Sequence, residues 1–385
     1  MGLRDMQQKN LSQLPESIAI AGAWGYIGRK FLDAALALGI RTCVFDPGPP
    51  PGDLDMDRIT RIPEEEPFYR MPVEMFHLAL HPEDRHQAIQ ILLQRGRQEP
   101  LLVLCEKPMA APDRPEECER LVDVARGLRA LLLYDFPELF DSMTCRIQDY
   151  LAGFDEVQIA EIVVARSKDR EDPANPRNYK RMVPIQYQES VHSIAFALSL
   201  LGKVRGDLPA VLDEGVSVRA EAEPYRPPNP EDYPYVVDGR CRFAISLGGT
   251  SLRGHTDFKS GAEWTKRYLI SGTADGRPFR IDAEYLEGHK RLLIDGVDRQ
   301  CDPAADSYQQ VLSTANRWKR EVDRRVLMTQ VVPNPRFAQV TYQLSGVLWR
   351  SARDGAAIRL TSMKELDEFD AGFREEIQRL PRYSG

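Results

Sequence analysis

"IAIAGAWGYIGRKFLDAALALG", residues 18 to 39, joins a run of small apolar residues to an amphipathic segment through Gly22, Gly25 and Gly28. The run reads as a strand buried on both faces, and "GRKFLDAALALG" reads as the helix that follows it. Glycines at such a junction permit a tight turn and close backbone approach, so a pyrophosphate can rest on the free amides of the helix N-terminus. The next strand, "RTCVFD", ends at Asp46, 18 residues after Gly28. A carboxylate there can accept both ribose hydroxyls of NAD and repel the extra phosphate of NADP. Read alone, the glycines can equally make a plain strand-to-helix turn, with Asp46 opening the proline turn "DPGPPP".

Outward from this junction the alternation continues through "MFHLAL", "EDRHQAIQILLQRG", "LLVLCE", "PEECERLVDVARGL" and "ALLLYDF". Apolar strands separated by amphipathic helices predict a doubly wound parallel sheet over residues 16–136. Beyond the helix-like "PELFDSMTCRIQDYLAG" the period changes to two. "VQIAEIVVARS" and "RCRFAISLGG" alternate, and "RYLISGTADGRPFRIDAEYLE" reads as two strands across a glycine turn. These predict a second, α+β domain with a largely antiparallel open sheet over residues 137–345. A partly helical tail follows at 346–385, and residues 1–15 are expected to be loose.

Bulk properties narrow the function. A chain of 385 residues with 42% hydrophobic content can fill two cores. Its net charge of −7 comes with scattered basic residues, which disfavours nucleic acid or an anionic membrane as main partner. Six separated cysteines without a CxxC pair suit free thiols in a reducing cytoplasm, and no metal-ligand spacing occurs. The first residues lack the apolar core of a signal peptide, and no stretch reaches membrane-spanning length. A cytoplasmic protein acting on a small molecule is expected.

"LLVLCEKPMA", residues 101 to 110, ends a buried strand on Glu106 and Lys107 before Pro108. Ligands of doubly wound sheets bind at the carboxyl ends of strands. Charges at such an end must face a cleft or each other, and a buried lysine loses proton affinity, which suits proton transfer. A surface ion pair is the plainer alternative.

In order along the chain, the glycine loop, the acid at the end of the second strand, Pro82 and His86 in "HPEDRH", and Glu106-Lys107-Pro108 resemble the Gfo/Idh/MocA oxidoreductases. "YLISGTADGRPFRI" is similar to that family's Gly-Thr-x-Gly hairpin, one residue longer. The resemblance implies an NAD(P)-dependent dehydrogenase or reductase acting on a sugar-like or cyclitol-like alcohol or carbonyl. By it, Gly22 to Gly28, with Trp24, Tyr26 and Ile27 between the glycines, and Asp46 hold the dinucleotide. His81, Pro82, His86 and Glu106 lie near the nicotinamide, Lys107 meets both cofactor and substrate, and a cis bond often precedes Pro108. His192, near the start of the helix "VPIQYQESVHSIAFALSLLG", becomes the acid/base group with Lys107 as helper. The family's usual aspartate four residues earlier is Gln188 here, leaving Glu189 as substitute. A homodimer or homotetramer, formed through the open sheet face, is also implied.

Three further readings stay open. The loop "ARSKDREDPANPRNYKRM" carries excess positive charge, so Arg166 and Tyr179 can meet an anionic substrate group, or the loop is simply solvated. The fold can serve as a catalytically silent dinucleotide sensor or protein-binding module. A glucose-6-phosphate dehydrogenase-like enzyme shares the loop and Glu-Lys-Pro, although the chain lacks an Arg-Ile-Asp-His-Tyr segment. "GAWGYIG" is also similar to the loops of extended short-chain dehydrogenases, but the one Tyr-x-x-x-Lys, Tyr26 to Lys30, lies inside the loop's own helix.

Overall fold

The computed structural model describes residues 14–259, 264–286, 288–301 and 306–383. Of the expected loose N-terminus, residues 1–13 lie outside the described residues. Six parallel strands form the first sheet: β1 (Ser17–Ala21), β2 (Arg41–Phe45), β3 (Ile59–Arg61), β4 (Met75–Leu78), β5 (Leu102–Glu106) and β6 (Leu131–Asp135). Their order is β3-β2-β1-β4-β5-β6. The chain therefore reverses direction across the sheet between β1 and β4, which opens a crevice at their carboxyl ends. Every residue of β1 and β6 is buried, because helices cover both faces; among them are α1 (Tyr26–Ala37), α2 (His86–Arg95) and α3 (Glu116–Ala125).

The predicted helix over 137–153 is broken in two. A short turn, Pro137–Phe140, stops at Asp141, whose carboxylate caps α4 (Ser142–Leu151) by accepting from the Met143 amide at 2.9 Å. The second sheet follows, with β7 (Val157–Ser167), β8 (Val216–Pro224), β9 (Asp238–Leu247), β10 (Thr250–Asp257), β11 (Thr265–Ala274), β12 (Arg277–Leu286), β13 (His289–Ile294) and β14 (Val297–Asp298). With β15 (Ile358–Leu360) it counts nine strands in the order β14-β13-β12-β11-β7-β10-β9-β8-β15. All neighbours are antiparallel except β7 and β10. The glycine turn between β11 and β12 is Asp275-Gly276, both with positive φ, as a two-residue hairpin requires.

Helix α5 (Val191–Arg205) is buried from Val191 to Gly202 and lies against the sheet. The C-terminal segment then returns to the first domain. Tyr308 of α6 (Ser307–Glu321) meets Phe31 edge-on at 5.2 Å. From α7 (Pro335–Asp354), Tyr342 donates through Oη to the Ala111 carbonyl at 2.8 Å. The expected domain limit at 345 falls inside α7. Among the described residues no helix is long and apolar enough to cross a membrane.

Candidate active site

Two of the three loop glycines are dictated by space. Gly22 has φ +72°, and a Cβ there would lie 2.6 Å from the Ala79 carbonyl oxygen; a Cβ on Gly28 would lie 2.0 Å from the Gly22 oxygen. Gly25 is less constrained, with 3.3 Å to the same oxygen. It begins α1 without any side-chain cap, so the first-turn amides are open to an anion. Asp46 is fixed beside them: Oδ2 accepts the Trp24 amide at 3.0 Å and Oδ1 the Gly48 amide at 3.0 Å. The Trp24 indole in turn donates to the Gly48 carbonyl at 3.2 Å. A cradle that excludes side chains, an uncapped helix start and an anchored carboxylate fit a dinucleotide.

At the end of β5 the Lys107–Pro108 peptide is cis. Arg85, buried, donates to the carbonyls of Glu106 and Pro108 and pins this turn from the loop after β4. Lys107 reaches away from the sheet, and its Nζ donates to the Gln188 carbonyl at 2.6 Å. Burial pulls its amine below the usual lysine range, against the pull of Glu189 and Glu106. Glu106 pairs across the sheet with Asp135 and lies 3.3 Å from His77 Nε2. Burial first, then the Glu106 charge and hydrogen bond, push Asp135 well above the usual carboxylate range.

His192 enters the same cleft from α5. The turn before it, Gln186–Ser190, is wound as a π-helix, a local widening often found at functional sites. Glu189 there accepts from Arg166 Nε at 2.6 Å and Lys168 Nζ at 3.3 Å. Arg166 also donates to Glu138, whose other oxygen lies 3.3 Å from His192 Nδ1, and Lys266 lies 3.6 Å from Glu138. Burial works against ionising Glu138 and Glu189, yet the surrounding cations hold both well below the usual range. Burial, then Arg166 and Lys107, push His192 down to about 3, so its imidazole is neutral. Nδ1 faces Glu138 without making a hydrogen bond of good geometry; a proton on Nδ1, with Nε2 able to accept, is the tautomer this acid favours.

Gly25, Tyr26, Ile27, His81, Pro82, Glu106, Lys107, Arg166, Gln188, Glu189 and His192 all line one cleft. Gly22, Trp24, Gly28 and Asp46 do not line it; they build the adjoining loop. Two residues lie elsewhere. His86 faces α3, with Arg120 2.7 Å from its Nε2, because the first turn of α2 points its side chain outward. Tyr179 is 50% exposed and only its carbonyl is engaged, by Asn229. Arg85, Asp135, Glu138 and Lys266 had no local sequence signal, since their roles arise only from partners distant in the chain.

No family model and no curated protein matches the sequence. The backbone as a whole does match solved structures. The chain has the Gfo/Idh/MocA fold. A myo-inositol dehydrogenase of Corynebacterium glutamicum superposes with a TM-score of 0.61 at 15% identity, over 90% of this chain and 99% of that one. The transcriptional regulator Gal80p of Kluyveromyces lactis gives 0.65 at 10% identity, over 94% and 99%. A super-repressor mutant of Gal80p from Saccharomyces cerevisiae gives 0.66 at 12% identity, over 92% and 100%. The resemblance read from Glu106-Lys107-Pro108 thus holds at the level of fold. This Gfo/Idh/MocA fold carries both a dehydrogenase and regulators, so the activity must be argued from the cleft.

Proposed function

We propose that the protein is an NAD(P)-dependent oxidoreductase acting on a secondary alcohol or carbonyl of a sugar-like or cyclitol-like molecule. One observation carries this reading: Glu106 and Lys107, at the end of β5, and His192, from α5, line a single cleft with the first turn of the glycine-loop helix. Gly22 to Gly28 and Asp46 would hold the dinucleotide, and the Asp46 carboxylate favours NAD over NADP. The dinucleotide supplies the hydride acceptor or donor when bound. The chain's own residues handle the proton. Nε2 of neutral His192 takes it from a substrate hydroxyl, and Glu138 stabilises the imidazolium that forms. Lys107 positions the reacting oxygen, donating to it in place of the Gln188 carbonyl.

The test follows binding of NAD and NADP by calorimetry, then absorbance of reduced cofactor with a panel of sugars and cyclitols. NAD binding with turnover of at least one compound is expected. Lys107→Ala should lower kcat/KM by about a hundred- to ten-thousandfold with NAD affinity retained. Binding without turnover, unchanged by Lys107→Ala, would overturn the enzyme reading.

A second reading, a silent dinucleotide sensor or protein-binding module, is supported by the engagement of Lys107 and Asp46 within the chain itself. Lys107 is engaged by a backbone carbonyl, and both Asp46 oxygens by backbone amides. Tight NAD binding without turnover is its expected outcome.

A further inference from the structure

We infer that the cleft contains a built subsite for an oxyanion on the substrate, a carboxylate or a phosphate, centred on Arg170. This deepens the oxidoreductase reading by naming the substrate class, and rests on it.

Arg170 is 4% exposed and lines the cleft. Its Nε and Nη1 have no hydrogen-bond partner, and it enters no ion pair among the described residues. An unpaired guanidinium out of water is strongly unfavourable, so its retention calls for a missing anion. The nearby acids are already committed. Glu189 serves Arg166 and Lys168, and Glu138 serves Arg166, Lys266 and His192. Asp169 accepts the amides of Glu171 and Asp172.

The backbone that carries the guanidinium is also held in place. The Arg170 amide donates to the Phe258 carbonyl at 2.6 Å, and Tyr225 Oη donates to the Arg170 carbonyl at 2.7 Å. Pinned backbone and a buried side chain present a fork suited to a planar or tetrahedral oxyanion. Lys180 and Arg181 line the same cleft and add charge at its mouth.

The dinucleotide phosphates have a site of their own. Those belong at the start of α1, where Tyr26 lies beneath a different cation, Arg177. The Arg170 charge depresses the amines of Lys107 and Lys168 and also the Arg177 guanidinium, which places it between the catalytic end and the glycine loop.

The test uses the full chain and three matched probes: glucose, glucuronate and glucose 6-phosphate, titrated calorimetrically with and without saturating NAD. One of the two anionic sugars should bind at least about tenfold tighter than glucose, from one charge-assisted bidentate contact. Glucuronate in that role identifies a carboxylate site, and glucose 6-phosphate a phosphate site. Arg170→Gln should abolish the preference, Arg170→Lys should restore part of it, and NAD affinity should be unchanged in both. Far-ultraviolet circular dichroism checks that each variant is folded; if Arg170→Gln is not, the Arg170→Lys comparison decides, with full retention of the preference overturning the fork. Equal binding of all three sugars, or of none, overturns the subsite. So does a loss of NAD affinity in Arg170→Gln, which would assign the arginine to the dinucleotide. An anion preference without NAD binding would overturn the oxidoreductase reading and keep the subsite; NAD binding without a preference would do the reverse.

Discussion

An imidazole buried beside two cations gives up its proton readily, because burial and like charge both penalise the ionised form. His192 is in that position, with a folded value of about 3 against an unfolded value of about 6.5. Between those two values the unfolded chain holds a proton that the folded chain does not. Stability from this group is therefore complete above pH about 6.5 and is lost as pH falls towards 3. Denaturant melts at stepped pH should show His192→Gln losing less stability than the wild type between neutral and acidic pH. Parallel losses would show that His192 is not buried as described. The pair Glu138 and Arg166 belongs to the same scale. Glu138→Gln should destabilise by about 3–5 kcal/mol, the usual result of breaking a buried pair, measured by the same melts.

At the scale of elements, the glycine loop sets a sharper test. Gly28→Ala forces a methyl to 2.0 Å from the Gly22 oxygen, and should cost about 1–3 kcal/mol as overpacking does. Gly25→Ala meets only a 3.3 Å neighbour and should cost less than about 1 kcal/mol. Thermal melts that rank Gly25→Ala as the worse change would show a loop built differently. This loop, the strands β1, β2, β4, β5 and β6, and the Glu106-Lys107-Pro108 end were legible because burial on both faces and turn geometry leave local marks. Strand β3 was not, since three residues at a sheet edge make no period. The π-turn before α5 was equally silent. No residue type demands a five-residue step, yet this step accompanies Glu189, at 189, serving Arg166 and Lys168 where the family pattern led to position 188. Glu138 stands 28 residues from Arg166, and only the assembled chain brings them together.

For the molecule as a whole, the change of period after residue 136 marked the passage from parallel to antiparallel sheet. The tail was harder to place, because α7 is buried along most of its length and serves both domains at once. An amphipathic pattern shows that a helix is covered, not by what. The free face of the second sheet gives the molecule-scale prediction. Register brings Val163 beside Leu269 and Arg253, with the ion pairs Arg253–Glu161 and Arg267–Asp282 around them. An apolar centre ringed by charge is the anatomy of an interface between copies. Sedimentation should find a dimer or tetramer that Leu269→Glu converts to monomers; an unchanged assembly would place the contact elsewhere.

Arg177 lies 3.4 Å from the centre of the Tyr26 ring and 5.5 Å from that of Trp264. One guanidinium thereby links an aromatic of the glycine loop to an indole of the second domain, held by cation–π attraction rather than by a carboxylate. On the proposed function, a dinucleotide phosphate arriving at α1 would compete for that guanidinium and should draw it off the rings. Trp264, 41% exposed, then changes its surroundings, and its emission becomes an optical readout of cofactor arrival that needs no substrate and no turnover. Titration of NAD into the wild type should shift the emission, and Trp264→Phe should remove the part of the shift that does not come from Trp24 of the loop.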